Sequence, residues 1–161
     1  MRVLRIIGLL LVAVVVLMVL VALGARFHDG PVGPFPGGPL QVGLLEEEPV
    51  SDWSFAADEE TIEFQLLSQA RSRTAWILVL DGAAFIPCNL GFPPGKSWHE
   101  RAVEDGRAVL RMQGRRYPVT LERIEDAELA AALEDVLRAK YSGGPPAGSG
   151  FWNFRIASRA P

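Results

Sequence analysis

The stretch from Leu90 to Ala102, LGFPPGKSWHERA, concentrates the residue types of this chain that could do chemistry. It contains the triplet Gly-Lys-Ser, with which phosphate-binding P-loops end, and it contains His99, one of the two histidines. Cys88, the only cysteine, lies just upstream. Three kinds of site follow as hypotheses: a nucleotide-binding loop, a cysteine–histidine centre, and an anion site at the start of a helix.

The glycine spacing argues against a nucleotide-binding loop. A P-loop has four residues between its first glycine and the Gly-Lys-Ser/Thr triplet, whereas three residues separate Gly91 from Gly95. Pro93 and Pro94 also lack the backbone N–H groups that hold a phosphate in such a loop. We therefore reject a Walker-type site.

Cysteine–histidine and metal chemistry are also disfavoured. Cys88 ends an apolar stretch, where a free cysteine is commonly just buried. A nucleophilic cysteine needs a base within hydrogen-bond reach, but His99 precedes Glu100 at a predicted helix start, where we expect it to be exposed. His28, Cys88 and His99 lack metal-ligand spacing, so no metal is expected.

Anion binding at Lys96 and Ser97 is a stronger hypothesis than a nucleotide-binding loop or a cysteine–histidine centre. If a helix begins near Ser97, its free N–H groups and positive dipole end favour an anion. Arg71 or Arg73 could then add charge-assisted hydrogen bonds. The alternative, which we favour on the residues alone, is a Ser97 cap beside solvated basic residues. The tryptophans leave a similar choice between stacking on a ligand and packing in the core, and packing is favoured.

The N-terminus predicts a membrane anchor. Residues 6–25 contain no charged residue and are almost all aliphatic. At about 1.5 Å per residue, a helix of that length covers the bilayer core. A cleavable signal peptide is the alternative, although its apolar region is usually only about 7–15 residues long. Arg2 and Arg5 precede the helix and Arg26 follows it, which favours a cytoplasmic N-terminus and an extracytoplasmic domain, periplasmic in a bacterium.

The composition predicts one acidic domain beyond the anchor. The chain has 19 Asp and Glu against 16 Lys and Arg residues, two of the latter before the anchor. That balance excludes nucleic acid as an electrostatic partner. We divide the chain into a cytoplasmic N-terminus (1–5), a transmembrane helix (6–25), a Pro/Gly-rich linker partly packed on the domain (26–51) and the domain itself (52–161).

Hydrophobic periodicity predicts an α+β domain with six strands and two helices. The strands are expected near 62–66, 74–80, 83–88, 108–112, 115–124 and 152–156, with hairpin turns at Asp81-Gly82 and Gln113-Gly114. The helices are expected over 98–104 and 126–141, the second capped by Asp126, with a loop, SGGPPAGSG, after it. This order suits a small, mostly antiparallel barrel rather than regular βαβ alternation.

From about Asp52 to Arg159 the chain resembles the FMN-binding split-barrel group, which includes pyridoxamine-phosphate-oxidase-like and deazaflavin-dependent nitroreductase-like proteins. The similarity rests on the order of elements and on three pieces: Arg71-Ser72-Arg73-Thr74 before WILVLDG, Gly95-Lys96-Ser97-Trp98, and GRRYPVTLERIED before a helix. The membrane anchor and the Pro/Gly segment are not general features of the group.

The resemblance implies a cofactor site. In proteins of this group, the phosphate of FMN, or of a related flavin or deazaflavin, lies near the start of the second strand and the loop after the third strand. Carried over by position, the residues implied are Arg71, Arg73, Thr74, Lys96, Ser97 and Trp98, the last as a packing residue. The implied function is a membrane-anchored oxidoreductase acting on a small organic or quinone-like substrate. A homodimer is also implied. The alternative is a cofactor-free binding or assembly module of the same fold.

Overall fold

The chain begins with a long apolar helix. In the computed structural model, which describes residues 2–141 and 150–161, helix α1 runs from Arg2 to Ala25. Its Val3–Ala25 portion has a mean hydropathy of 3.5 and, of the described residues, is the one helix long and apolar enough to cross a membrane. The prediction of an apolar N-terminal helix over 6–25 is confirmed. The helix begins earlier than predicted, at Arg2, so that Arg2 and Arg5 form part of its first turns.

The other described residues form eight strands and two helices. The strands are β1 (Leu44–Leu45), β2 (Thr61–Leu66), β3 (Ser72–Trp76), β4 (Leu78–Leu80), β5 (Ala83–Asn89), β6 (Arg107–Met112), β7 (Arg115–Arg123) and β8 (Phe151–Ser158). The helices are α2 (Trp98–Glu104) and α3 (Ala127–Lys140), and a 3₁₀ turn covers Ser54–Ala56. The loop predicted after α3 lies, over residues 142–149, outside the described part of the chain.

The strand count differs from the predicted six for two reasons. The run predicted as one strand over 74–80 is divided at Ile77, where the Tyr141 hydroxyl accepts a bond from the Ile77 amide at 3.2 Å and the Lys140 ammonium donates to the Ile77 carbonyl at 3.0 Å. These side chains at the end of α3 replace the ladder bonds at the bend. The second reason is β1, which pairs in parallel with the start of β7.

The sheet is antiparallel apart from β1, and its order is β3-β2-β6-β7-β8-β5-β4. Its two outermost strands, β3 and β4, are consecutive in the chain and joined through Ile77. One segment therefore pairs with β2 on one side and with β5 on the other. The turns at Asp81-Gly82 and Gln113-Gly114 have positive φ at both residues, as predicted for tight hairpins.

The core lies on the concave face of this sheet. Phe64, Phe154, Leu110 and Val119 are fully buried there, and Trp98 at the start of α2 closes one end. Helix α3 covers β4 and β5 with Leu133 and Leu137 and begins where predicted, because the Asp126 carboxylate accepts a bond from the Leu129 amide at 2.7 Å.

The Pro/Gly-rich residues 28–43 form a strap that is bonded along the outside of the sheet. Leu40 is buried, and the Gly37 and Ser72 backbones are bonded to each other. Arg111 holds the Asp29 carboxylate and, through Nε, the Glu63 carboxylate at 2.5 Å. Gly37 leaves no room for a side chain, since a Cβ there would lie 1.7 Å from the Gly30 carbonyl oxygen.

Candidate functional site

A mostly apolar pocket of about 680 Å³ separates β3 from β5, below the bend at Ile77. A volume of this size is typical of small-molecule sites, which range over about 300–1,000 Å³. We call it the aromatic pocket. Its walls are Thr61, Phe64, Thr74, Ala75, Trp76, Pro87, Cys88, Asn89, Phe92, Pro93, Lys96, Trp98 and Phe151. Three of the predicted site residues, Thr74, Lys96 and Trp98, are therefore brought together.

A smaller pocket of about 160 Å³ shares a wall with the aromatic pocket. It is lined by Gly33, Pro34, Phe35, Pro36, Arg73, Thr74, Pro93, Lys96 and Trp98. Arg73 thus joins the three predicted residues of the larger pocket. The tip of the strap supplies the outer wall, so this segment, expected to be a linker partly packed on the domain, also forms a pocket wall.

Arg73 is the polar group with the most direct bearing on ligand binding. It pairs across the strands with Phe64, so its side chain lies on the core face of β3. Its Nη2 donates to the Gln69 side-chain oxygen at 2.9 Å, whereas its buried Nη1 has no hydrogen-bond partner among the described residues. Burial, with the charges of Arg71 and Arg101, lowers the Arg73 pKa. A ligand anion would relieve both effects.

The Lys96 ammonium is already bound. It donates to the carbonyl oxygens of Asn89 and Phe92. The Asn89 side-chain oxygen in turn accepts the amides of Gly91 and Phe92, at 2.8 and 3.1 Å. Lys96 therefore closes the loop after β5 on itself, and its positive charge remains beside the pocket mouth.

Ser97 and Arg71 take no part in either pocket wall. Ser97 precedes α2, but its hydroxyl makes no capping bond within the described residues. Helix α2 has only seven residues, and it begins with Trp98, which packs against the Phe64 ring at 4.9 Å. Arg71 is exposed in the turn before β3. The packing role expected for Trp98 is the one that the structure shows.

His99 is buried, which differs from the exposure expected at a helix start. Its ring lies edge-on to the rings of Trp98, at 6.2 Å, and Trp152, at 5.3 Å. Burial lowers its pKa, and its Nδ1 has no partner in the part of the chain that is described. The helix places this histidine between two tryptophans that the sequence separates, which is why the expectation failed.

Cys88 lies on the wall of the aromatic pocket as a protonated thiol. Burial raises its pKa to about 11, despite the opposing effect of the Lys96 charge. Since the thiolate is the reactive form, Cys88 is a poor nucleophile at neutral pH. Within residues 2–141 and 150–161, no group of three His, Cys, Asp or Glu side chains could hold a metal ion.

Sequence reasoning did not assign Trp76, Phe92 and Phe151 to the site. Trp76 stacks on Tyr141 at 4.5 Å and lines the pocket from β3. The alternation of Arg73, Thr74, Ala75 and Trp76 was a usable signal, because it predicts a strand with an exposed face rather than a fully buried one. Phe151 gave no such signal, since only the pairing of β8 with β5 brings it there.

The arrangement can hold a planar ring with an attached anion. Aromatic side chains provide the walls for the ring, and Arg73 in the adjoining smaller pocket has a guanidinium nitrogen without a partner among the described residues. No protein-family model matches the chain, and no curated protein is significantly similar to it.

Proposed function

We propose that the domain is a split barrel of the FMN-binding type. The support is the segment 72–80, which pairs with β2 at one end and with β5 at the other, so that the sheet curves back toward itself. The aromatic pocket occupies the opening between β3 and β5, where such a barrel would be split.

The function that this geometry supports best is that of a membrane-anchored oxidoreductase with a flavin-type cofactor, acting on a small organic or quinone-like substrate. The observation that carries the proposal is the aromatic pocket together with the adjoining smaller pocket, which is lined by Arg73, whose buried Nη1 has no hydrogen-bond partner among the described residues. A flavin mononucleotide has the two matching parts, a planar ring system and a phosphate.

The residues fit this cofactor in part. Trp76, Trp98 and Phe151 would hold the ring, and the guanidinium of Arg73 would bind the phosphate. Lys96 would contribute its charge, since its ammonium is engaged by the loop. When bound, the flavin supplies the hydride chemistry, and the protein's part is to position the ring and to keep water away from it.

The absorbance spectrum of the full-length chain, purified in detergent, tests this function. We expect a yellow protein, or a colourless one that takes up added FMN or deazaflavin in a stoichiometric amount. A chain that is colourless and also leaves both compounds free in solution would exclude the cofactor.

Arg73→Gln and Arg71→Gln form a matched pair for the site. Removing the charge of Arg73 should weaken FMN binding by about tenfold to a hundredfold, because charged hydrogen bonds contribute about 1.5–3 kcal/mol. Arg71→Gln removes an exposed charge outside both pockets and should change the affinity little. Equal affinities of the two variants in a fluorescence titration would refute the pocket assignment.

A cofactor-free, membrane-anchored binding or assembly module is the second candidate. The observation that favours it is the state of the implied phosphate ligands: Lys96 is bonded within its loop, and Arg71 and Ser97 lie outside the pocket walls. The same spectrum separates the two candidates.

The location that we propose is the inner, cytoplasmic membrane, with one span and a periplasmic domain. Arg2 and Arg5 before the span support it. An alkaline phosphatase fused after Pro161 should be active, and an inactive but stably expressed fusion would reverse the topology. Association as a homodimer is proposed from the resemblance alone, and sedimentation of the detergent-purified chain tests it.

A further inference from the structure

Apolar residues border the two pockets, next to the charged Lys96 and Arg73. They belong to the tip of the strap and to the loop after β5, and with the exposed neighbour Leu90 we call them the apolar rim: Pro34, Phe35, Pro36, Leu90, Phe92 and Pro93. Phe92 is 72 % exposed. The sequence has no charged residue between Asp29 and Glu46 or between Cys88 and Lys96. A continuous exposed apolar surface of this kind marks an interaction site.

The rim lies close to the end of α1. The His28 amide donates to the Ala25 carbonyl at 3.0 Å, and the Gly38 amide donates to the His28 carbonyl at 2.8 Å. Pro36 is two residues from Gly38, so this bonded path places Pro36, in the strap part of the rim, within about 20 Å of the helix end. Ala25 is buried and Phe27 is 91 % exposed, so the exit from the helix is fixed to the domain while an aromatic ring projects from it.

Carboxylates are numerous around the opposite end of β5, where Arg115 and Lys140 also lie. Asp58, Glu59 and Glu60 directly precede β2, and Asp81 lies in the turn between β4 and β5. The Trp53 amide donates to the Gly82 carbonyl, which brings Asp52 close to this turn. The Glu46 amide donates to the Arg116 carbonyl, which brings Glu46 and the two glutamates after it to the start of β7. We call this group the acidic end: Glu46, Glu47, Glu48, Asp52, Asp58, Glu59, Glu60 and Asp81. The seven residues of β5 separate it from the rim by about 20 Å.

We propose that the apolar rim lies in the interface of the bilayer that α1 spans, with the acidic end directed away from it, and that the aromatic pocket takes its substrate from the membrane. Aromatic side chains are common at the membrane interface, whereas carboxylates lose hydration when they leave water. The substrate class is then a lipid-soluble amphiphile whose polar ring enters the pocket while its chain remains among the lipids. The substrate class rests on the proposed function, and the position of the rim does not.

Site-directed fluorescence in liposomes tests the position of the rim. Full-length Phe92→Cys and Phe55→Cys variants, each labelled with a polarity-sensitive dye, are compared in vesicles with and without nitroxide lipids. Phe55 is 46 % exposed, and it belongs to the 3₁₀ turn next to the acidic end, which makes it the matched control. Native Cys88 is buried with a high pKa, so labelled wild-type chain gives the background.

We expect the dye at position 92 to lose most of its emission to nitroxide lipids and to be shielded from iodide, and the dye at position 55 to do the reverse. Leu90→Cys, also on the rim, serves if Phe92→Cys does not fold. Iodide quenching that is equal at positions 92 and 55 overturns the inference, whether or not the chain binds flavin. Lipid quenching at position 92 in a chain without flavin supports the rim position and counts against the proposed function alone.

Discussion

The apolar rim and the acidic end are built on the same strands but have opposite surface chemistry. At the rim, Phe92 and three prolines are exposed beside Lys96, while Phe35 is half-buried. At the acidic end, carboxylates surround tight turns and the start of β2. The strands of the sheet therefore do not by themselves set the surface chemistry at either end. The loops that join its strands decide which end contacts a ligand or a membrane and which remains in water.

The largest expected effect compares a buried tryptophan at each end. Trp98→Ala removes a ring that packs on Phe64 and Phe154, and Trp53→Ala removes one that packs on Phe55 and Tyr117. Each should lower the free energy of unfolding by about 3–5 kcal/mol. Chemical denaturation of the full chain in detergent measures this loss.

Ligand affinity should distinguish the two tryptophans even where stability does not. Only Trp98 lines the pockets, so the milder Trp98→Phe variant should weaken FMN binding while Trp53→Phe should leave it unchanged. If Trp53→Phe weakened binding equally, the functional contrast between the two ends would fail.

A smaller effect is expected from the ion pairs that hold the strap. Arg111→Met leaves two partly buried carboxylates, Asp29 and Glu63, without their cation and should cost about 1–3 kcal/mol of unfolding free energy. Arg115→Met removes the more exposed pair with Glu46 and should change stability little. Limited proteolysis should cut the strap faster in the Arg111 variant alone, and equal cleavage rates would contradict its fastening role.

Lowering the pH should weaken the attachment of the strap to the sheet through Asp29. Burial of Asp29 opposes its ionisation, but bonds from the Gln41 and Val42 amides and from Arg111 outweigh burial and lower its pKa. A carboxylate with a lowered pKa stabilises the folded form fully above the unfolded value of about 3.9, and this contribution is lost as the pH falls through the folded value. Hydrogen exchange of the Gln41 and Val42 amides should therefore accelerate below about pH 4 relative to Asp29→Asn.

The smallest effect concerns the reactivity of the pocket thiol. With a pKa of about 11, Cys88 should react slowly with iodoacetamide at neutral pH, and the rate should rise as the pH approaches that value. Bound FMN should slow the reaction further. A fast reaction at pH 7 would show that the thiol is exposed or activated, and the aromatic pocket would then need another description.

Much of the fold could be predicted from local signals. The apolar run gave α1, the capping Asp126 and its apolar stripe gave α3, and the Asp-Gly and Gln-Gly pairs gave two hairpins. The bend at Ile77 could not be predicted, because the groups that satisfy its backbone belong to Lys140 and Tyr141, more than sixty residues further along the chain. The buried position of His99 could not be predicted either, because it depends on packing against Trp152, which lies far from His99 in the sequence.

Charge and hydrophobic periodicity are local properties, so the sequence alone was enough to identify the residues that could bind an anion and the segment that could cross a membrane. The packing of strands and loops was needed to show that Arg73 shares a pocket wall with Thr74, Lys96 and Trp98, that Arg71 and Ser97 lie outside the two pocket walls, and that the strap forms a wall. Cross-strand register and loop packing set these relations, and both depend on contacts between residues far apart in the chain.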